Sequence, residues 1–204
     1  MIDAAPLWEG FRPPLPLRAA TPPAWAETAL ADPQALLSDH AHCEKKAALS
    51  ALSLAQSLMD TARFPVLLAR LAEEELAHYR RVLEALQGFG WRLQPDGGST
   101  YAQALHQRAG KGVLDRLLMA ALIEARSCER LWLLERTAAG HPVLGAAPWL
   151  AFLLELERCE AGHAQTYRSI AEEHFGPQAE RRLDWWLDQE ASILRDLPWR
   201  SAVH

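Results

Sequence analysis

With 204 residues, 50% hydrophobic and 23% charged, the chain is long enough to fill one core and too short for a second full domain. A formal charge of −5 and a pI near 5.9 exclude a general pull toward nucleic acid or an anionic membrane, while leaving room for a local basic patch. Cys43, Cys128 and Cys159 form no CxxC pair, which excludes a zinc ribbon or rubredoxin-type iron site and argues against a disulfide framework. They read as small apolar residues where helices approach closely in a reducing cytoplasm.

Residues 1 to 31 hold Pro6, Pro13, Pro14, Pro16, Pro22 and Pro23 among Trp8, Phe11, Leu15 and Trp25. Proline at this density opposes a long helix, and the apolar side chains are too many for a free linker, so an extended strap across the helices is expected. The segment lacks a basic start followed by an apolar run, and no stretch of about 18 apolar residues occurs anywhere. Neither a secretory signal nor a membrane partner is expected, and the location is expected to be cytoplasmic.

Asp32-Pro33, a capping acid before a proline, marks the start of the first long helix. Leu36, Leu37, His40, Cys43, Glu44, Ala47, Ala51, Leu54 and Leu58 recur at steps of three and four, one face of a helix reaching about residue 61. Glu44 sits on that face, where a lone carboxylate is costly unless a cation compensates it. The second helix, from Phe64-Pro65 to Gly88, turns Leu67, Leu68, Leu71, Glu75, His78, Val82, Leu83 and Leu86 inward, with Glu73, Glu74, Arg80 and Arg81 on its solvated side. Residues 89 to 112, holding Pro95-Asp-Gly-Gly-Ser and a short helix near Tyr101 to Gln107, make a crossover between helical hairpins. The third helix, Val113 to Ala139, carries Glu124 among Leu114, Leu117, Leu118, Ala121, Ala125, Cys128 and Leu131. The fourth, from Val143 or Pro148 to Gly176, carries Glu160 and His163 among Leu150, Leu153, Leu156, Tyr167 and Ile170. A last amphipathic helix, Pro177 to Leu197, is expected to pack outside the bundle.

Two stretches organise this pattern: Glu75-Leu-Ala-His78 and Glu160-Ala-Gly-His163. Residues three apart leave a helix on the same side, so each pair can grip one metal ion. Each follows a lone glutamate on the preceding helix at similar distance, 75 − 44 = 31 and 160 − 124 = 36 residues. One such motif is common by chance; two, at matching depth in apolar helices, describe a duplicated helix pair. Four carboxylates and two histidines are the donor set of a two-metal site, and ferritin-like bundles build it this way. The expected fold is therefore all-α: one ferritin-like domain over 1–204, with a four-helix core at about 32–175, the N-terminal strap and an extra C-terminal helix. The competing reading, buried acids neutralised by Arg126, Arg130 and Arg158, would need several ion pairs inside one small core.

Hard oxygens with two imidazoles suit iron first and manganese second, whereas zinc takes fewer ligands and often sulfur. In the usual ferritin-like arrangement Glu75 and Glu160 bridge the metals and Glu44 and Glu124 bind terminally, leaving positions for oxygen. No catalytic side chain beyond these ligands stands out.

Four segments, Asp39-His-Ala-His-Cys-Glu-Lys-Lys-Ala-Ala48, Glu74-Glu-Leu-Ala-His-Tyr79, Ile123-Glu-Ala-Arg-Ser-Cys-Glu-Arg130 and Glu160-Ala-Gly-His-Ala-Gln-Thr-Tyr167, closely resemble the bacterial tRNA 2-methylthio-N6-isopentenyladenosine hydroxylases. The resemblance implies a non-haem diiron monooxygenase that hydroxylates the isopentenyl group of the modified adenosine beside the anticodon. It implies dioxygen, two electrons from an external reductase or ferredoxin-like donor, a tRNA substrate, and two iron ions on Glu44, Glu75, His78, Glu124, Glu160 and His163. It is weak over the proline-rich start and the C-terminal segment.

Lys45, Lys46, Arg80, Arg81, Arg108, Lys111 and Arg116 are candidates for a phosphate-binding surface, and Tyr101, Trp91 or Trp132 for stacking on the base. His40, one turn before Glu44, is either an orienting donor or a satisfied core histidine, and Tyr167 either supports the site or packs with its hydroxyl bonded. Arg126 either pairs with a ligand carboxylate or faces another helix. The alternative functions are a ferritin-like iron oxidase or storage protein, or a diiron oxidase acting on another substrate.

Overall fold

Seven helices and no strand make up the described part, residues 10–204, of the computed structural model. They are α1 (Ala24–Leu30), α2 (Pro33–Ser57), α3 (Arg63–Gly88), α4 (Thr100–Arg108), α5 (Val113–Ala138), α6 (Ala147–Phe175) and α7 (Pro177–Asp196). No helix among the described residues is long and apolar enough to cross a membrane.

Local chemistry sets the boundaries. Asp32 accepts the backbone N–H of Ala35 at 3.0 Å and Pro33 opens α2, while Ser99 caps α4 by accepting from Ala102 N–H at 2.9 Å. Between α6 and α7 stands Gly176 at φ +57°, a left-handed turn that a side chain would resist and that Pro177 follows as a fresh helix start. Short connections, residues 58–62 and 139–146, fold α2 with α3 and α5 with α6 into antiparallel hairpins. The crossover containing α4 then sets α2 beside α5 and α3 beside α6. This is the ferritin-like arrangement, and α7 packs outside it on α4, α5 and α6.

The apolar interior is divided. One cluster holds Leu54, Leu68, Leu71, Leu117, Leu118, Ile170 and Trp186; the other holds Leu36, Leu37, Val82, Leu86, Leu131, Leu134 and Leu156. Along every bundle helix the boundary falls at the glutamates: Glu44 lies between Leu37 and Leu54, Glu75 and His78 between Leu71 and Val82, Glu124 between Leu118 and Leu131, Glu160 and His163 between Leu156 and Ile170. One polar layer crosses the whole core.

Two sequence expectations are corrected. The strap is extended only to Pro23, burying Phe11, Leu15 and Leu17; α1 follows, burying Trp25, Ala26, Ala29 and Leu30. The reason is compositional: beyond Pro23 the prolines stop and Ala-Trp-Ala-Glu-Thr-Ala-Leu favours a helix that can lay an apolar face on α5 and α2. Pro6 and Trp8 lie outside the described residues. The first long helix ends at Ser57 rather than near 61, because a turn at Leu58 to Thr61 leads straight into α3.

Arg126 faces away from the glutamate layer. Fully buried, it donates to both Glu190 oxygens, at 2.7 and 2.9 Å, to Glu129, and to the Ala19 carbonyl at 2.9 Å. Tyr101 adds its hydroxyl to Glu190 at 3.0 Å, and Thr21 donates its N–H and hydroxyl to Glu129. This network ties strap, α4, α5 and α7 together. Among the described residues no arginine pairs with Glu44, Glu75, Glu124 or Glu160, so the ion-pair reading of those acids has no partners to offer.

Breaking a buried ion pair strands the remaining charge, at about 3–5 kcal/mol. Glu190→Ala should lower the unfolding free energy by about that amount in urea titrations, and a loss below about 1 kcal/mol would refute the network's structural role.

Candidate metal centre

The polar layer brings together all six residues that the paired motifs singled out, none more than 5% exposed. Their donor atoms form two overlapping groups, Glu44, Glu75, His78 and Glu160, and Glu75, Glu124, Glu160 and His163, each with all atoms within 4.8 Å of one another. Glu75 and Glu160 belong to both. Each group adds one glutamate and one histidine of its own, the two-fold pattern of a duplicated hairpin.

The histidine nitrogens show what the groups can hold. His163 Nε2 stands 2.9 Å from a Glu74 oxygen, and a carboxylate there can only accept, so Nε2 carries the proton. In the neutral ring Nδ1 is then a bare lone pair, yet it lies 2.8 Å from Glu75 Oε1 without the alignment of a hydrogen bond. Two acceptors at that distance repel unless a cation or proton lies between them. His78 Nδ1 likewise faces Glu44 Oε2 at 3.4 Å and Glu75 Oε2 at 3.9 Å. Glu44 Oε2, Glu75 Oε1, His78 Nδ1, Glu160 Oε2 and His163 Nδ1 are all buried without a hydrogen-bond partner. Buried polar atoms without partners, converging from α2, α3 and α6 on a layer that Glu124 of α5 completes, fit a metal centre of hard, oxygen-rich type.

Protonation follows from the same crowding. Burial pushes Glu75 and Glu160 well above the usual carboxyl range, and neighbouring carboxylates add to it; burial raises Glu124 as well. Glu44 is the exception: burial would raise it, but His40, with Nε2 2.5 Å from Oε1, holds it below its ordinary value. His78 is lifted to about 9, contacts with the Cys159 thiol and Glu44 outweighing the opposing effect of burial.

Three residues outside the six support the layer, and only one of them was legible in that role. His40 had a visible signal, its spacing of four from Glu44, and it makes the contact. Glu74 read as part of a solvated face, and its side chain is indeed 58% exposed, yet its carboxylate orients His163 across helices. Cys159 read as small and apolar and instead touches His78.

A cavity of about 700 Å³ opens between α2, α4 and α5 and reaches Glu124. Ala47, Met119, Ala120 and Ile123 line its walls, Tyr167 its inner part, and Lys46, Lys111 and Arg116 its outer part. Lys46 pairs with Asp96 at 2.7 Å and Arg116 donates to Ser53 and Ser57; of the candidates outside the cavity, Lys45 contacts His42, Arg80 and Arg81 pair with Glu84 and Glu155, and Arg108 donates to Gln189. Trp91, Tyr101 and Trp132 do not line the cavity: Tyr101 is spent on Glu190, and Trp91 and Trp132 pack on Phe89 and Phe11. The C-terminal residue His204 does, its ring 2.7 Å from Ser127 Oγ and stacked on Tyr101.

Fold and donor set together define a ferritin-like bundle with a carboxylate and histidine layer compatible with a metal centre. A solved structure described as protein 43 with aldehyde deformylating oxygenase activity, from Synechococcus, superposes with a TM-score of 0.79 at 32% identity, covering 92% of this chain and 94% of that one. The chain belongs to the tRNA-(MS2IO6A)-hydroxylase (MiaE) family, whose model matches residues 15–204. It is 39% identical over 168 residues, 80% of this chain and 78% of the relative, to the tRNA 2-(methylsulfanyl)-N(6)-isopentenyladenosine(37) hydroxylase of Pseudomonas putida. To the protein of the same name from Salmonella typhimurium it is 31% identical over 133 residues, 61% of this chain and 45% of the relative.

Between the ordinary carboxyl range and the raised values of Glu75 and Glu160, the metal-free folded protein holds more protons than the unfolded chain, so its stability falls as pH rises through that window. Metal ions replace those protons. Ferrous or manganous ions should therefore raise Tm more at about pH 8 than at about pH 6. Glu160→Ala should lose metal binding, read by metal analysis, while circular dichroism stays helical; full occupancy in that variant would refute its role as a ligand.

Proposed function

We propose that this chain is a dioxygen-dependent hydroxylase of tRNA, holding two iron ions and acting on the isopentenyl group of 2-methylthio-N6-isopentenyladenosine next to the anticodon. The observation that carries this reading is the cavity, which joins the buried six-residue centre to a basic mouth on an otherwise acidic protein. The names of its family and of the Pseudomonas putida relative supply the substrate.

Glu44 with His78, and Glu124 with His163, would each hold one iron, with Glu75 and Glu160 shared. When bound, such a ferrous pair supplies two electrons to dioxygen, so that one oxygen atom enters a C–H bond and the other leaves with two protons as water. An external reductase or ferredoxin-like protein restores those electrons. The chain itself does the positioning. Glu74 and His40 fix the orientation of His163 and of Glu44. Ala47, Met119, Ala120 and Ile123 give the prenyl chain apolar walls and keep water from the centre. A cavity of about 700 Å³ falls in the usual range for small-molecule sites, ~300–1,000 Å³, and a base in a single-stranded loop can be turned out to enter it. Lys46, Lys111 and Arg116 then meet the phosphates on either side. A tRNA substrate supports a cytoplasmic location.

The test combines the ferrous protein, dioxygen, a reductant and tRNA bearing the methylthio-isopentenyl base, and reads the nucleoside by mass spectrometry. A gain of one oxygen atom is expected; its absence with both irons bound would favour an oxidase or storage role instead. Charge reversal at the mouth, Arg116→Glu, should raise KM for tRNA about tenfold and flatten its salt dependence, leaving kcat within about twofold. An unchanged KM would remove Arg116 from the RNA surface.

A further inference from the structure

Among the residues lining the cavity, Tyr167 alone has a buried polar atom without a hydrogen-bond partner. Its side chain is fully buried on α6, one turn beyond His163 and on the same face as Glu160, so the hydroxyl lies toward the inner part of the cavity beside the carboxylate layer. A phenol is protonated at neutral pH, so its hydroxyl can donate. The other fully buried tyrosine, Tyr101, differs in kind: its hydroxyl is bonded to Glu190 at 3.0 Å and belongs to the fold. Among the described residues nothing bonds the Tyr167 hydroxyl. A phenylalanine would fill the same space, and a buried hydroxyl without a partner costs stability.

The substrate end that reaches this depth, on the reading proposed above, is hydrocarbon and has no acceptor. Hydroxylation changes that, because it installs one oxygen on the prenyl chain beside the metal centre. We propose that Tyr167 recognises the hydroxylated product, donating its hydrogen bond to the newly installed hydroxyl oxygen at the inner end of the cavity. Tyr167 is then a positioning residue that discriminates product from substrate by a single oxygen atom. Its partner appears only when the reaction is complete. The new hydroxyl, otherwise buried between apolar walls, is satisfied by the same bond, so the enzyme holds its product more tightly than its substrate and release is slowed.

The inference rests on the hydroxylase reading, and one binding experiment separates the two. Iron-loaded oxidised enzyme without reductant, which cannot turn over, is titrated with three anticodon stem-loops: unmodified, bearing the methylthio-isopentenyl base, and bearing its hydroxylated form. The wild type should bind the hydroxylated loop about five- to tenfold more tightly than the prenylated one, the range of one net hydrogen bond. Tyr167→Phe should abolish that preference by weakening the hydroxylated loop alone, leave the prenylated Kd within about twofold, and relieve product inhibition in turnover. Its Tm should equal or exceed that of the wild type, in contrast to Tyr101→Phe, which should lower it. Equal binding of both modified loops by the wild type, or a preference that survives in Tyr167→Phe, overturns the role of Tyr167 and leaves the hydroxylase reading intact. Failure of the wild type to distinguish either modified loop from the unmodified one overturns both.

Discussion

Four carboxylates and two imidazoles share one layer of a helical core, and the rest of the structure is arranged around the cost of putting them there. Each buried charge without a partner is expensive, and like charges on converging helices add to the expense. The bundle meets this by concentrating the acids rather than scattering them. Leu, Ala and aromatic residues fill both ends of the core, and the acids occupy a single seam where a cation can serve all of them. The arginines that might have neutralised them are engaged elsewhere, Arg126 with Glu190 and Glu129, Arg130 with the Val203 carbonyl at 2.5 Å. The core therefore contains two separate solutions to buried charge: an ion-pair network that fastens the outer elements, and a seam of acids with no arginine among them, faced by histidines and open to a bound cation.

Orientation within the seam comes from residues outside it. Glu74 reaches across from the exposed side of α3 to set the His163 tautomer, and His40 steadies Glu44 from one turn away. These contacts leave the lone pairs of the inner atoms turned toward each other, the arrangement a metal ion needs before it arrives. The C-terminal residues add to the outer wall: Val203 N–H donates to Asp39 at 2.8 Å, and His204 lies in the cavity lining against Ser127. Burial holds the His204 ring neutral, and Arg130 beside it reinforces this. It therefore adds no charge to an already crowded site.

The cavity separates two kinds of recognition. Its apolar walls suit a hydrocarbon side chain and its basic mouth suits phosphate, so on the proposed reading affinity and placement of the reacting carbon fall to different residues. An overall charge of −5 conceals this, because Lys111 and Arg116, gathered at one opening beside the Lys46–Asp96 pair, matter more to a polyanion than the total.

The helices, their order and the six-residue set were legible in the sequence because each depends on spacing along one helix: a period of 3.6 places residues three and four apart on one face, and the duplicated spacing paired the two halves. Helix ends were legible where a capping residue announced them, as at Asp32 and Gly176, and less so where packing decided, as for α1. What spacing could not reach was any relation between helices. Glu74 and Glu75 are adjacent in the chain and equally acidic, and only the approach of α6 makes one an outer support and the other an inner donor. Of seven basic candidates, only Lys46, Lys111 and Arg116 line the cavity, because the crossover sets α4 and the start of α5 across that cavity from α2. Tyr101 and Tyr167 read alike as aromatic residues on helices, yet one hydroxyl finds Glu190 and the other faces the cavity. The sequence by itself determined which residues could share a face; the tertiary structure decided which faces meet, because that choice depends on burial and counter-charge summed over the whole bundle.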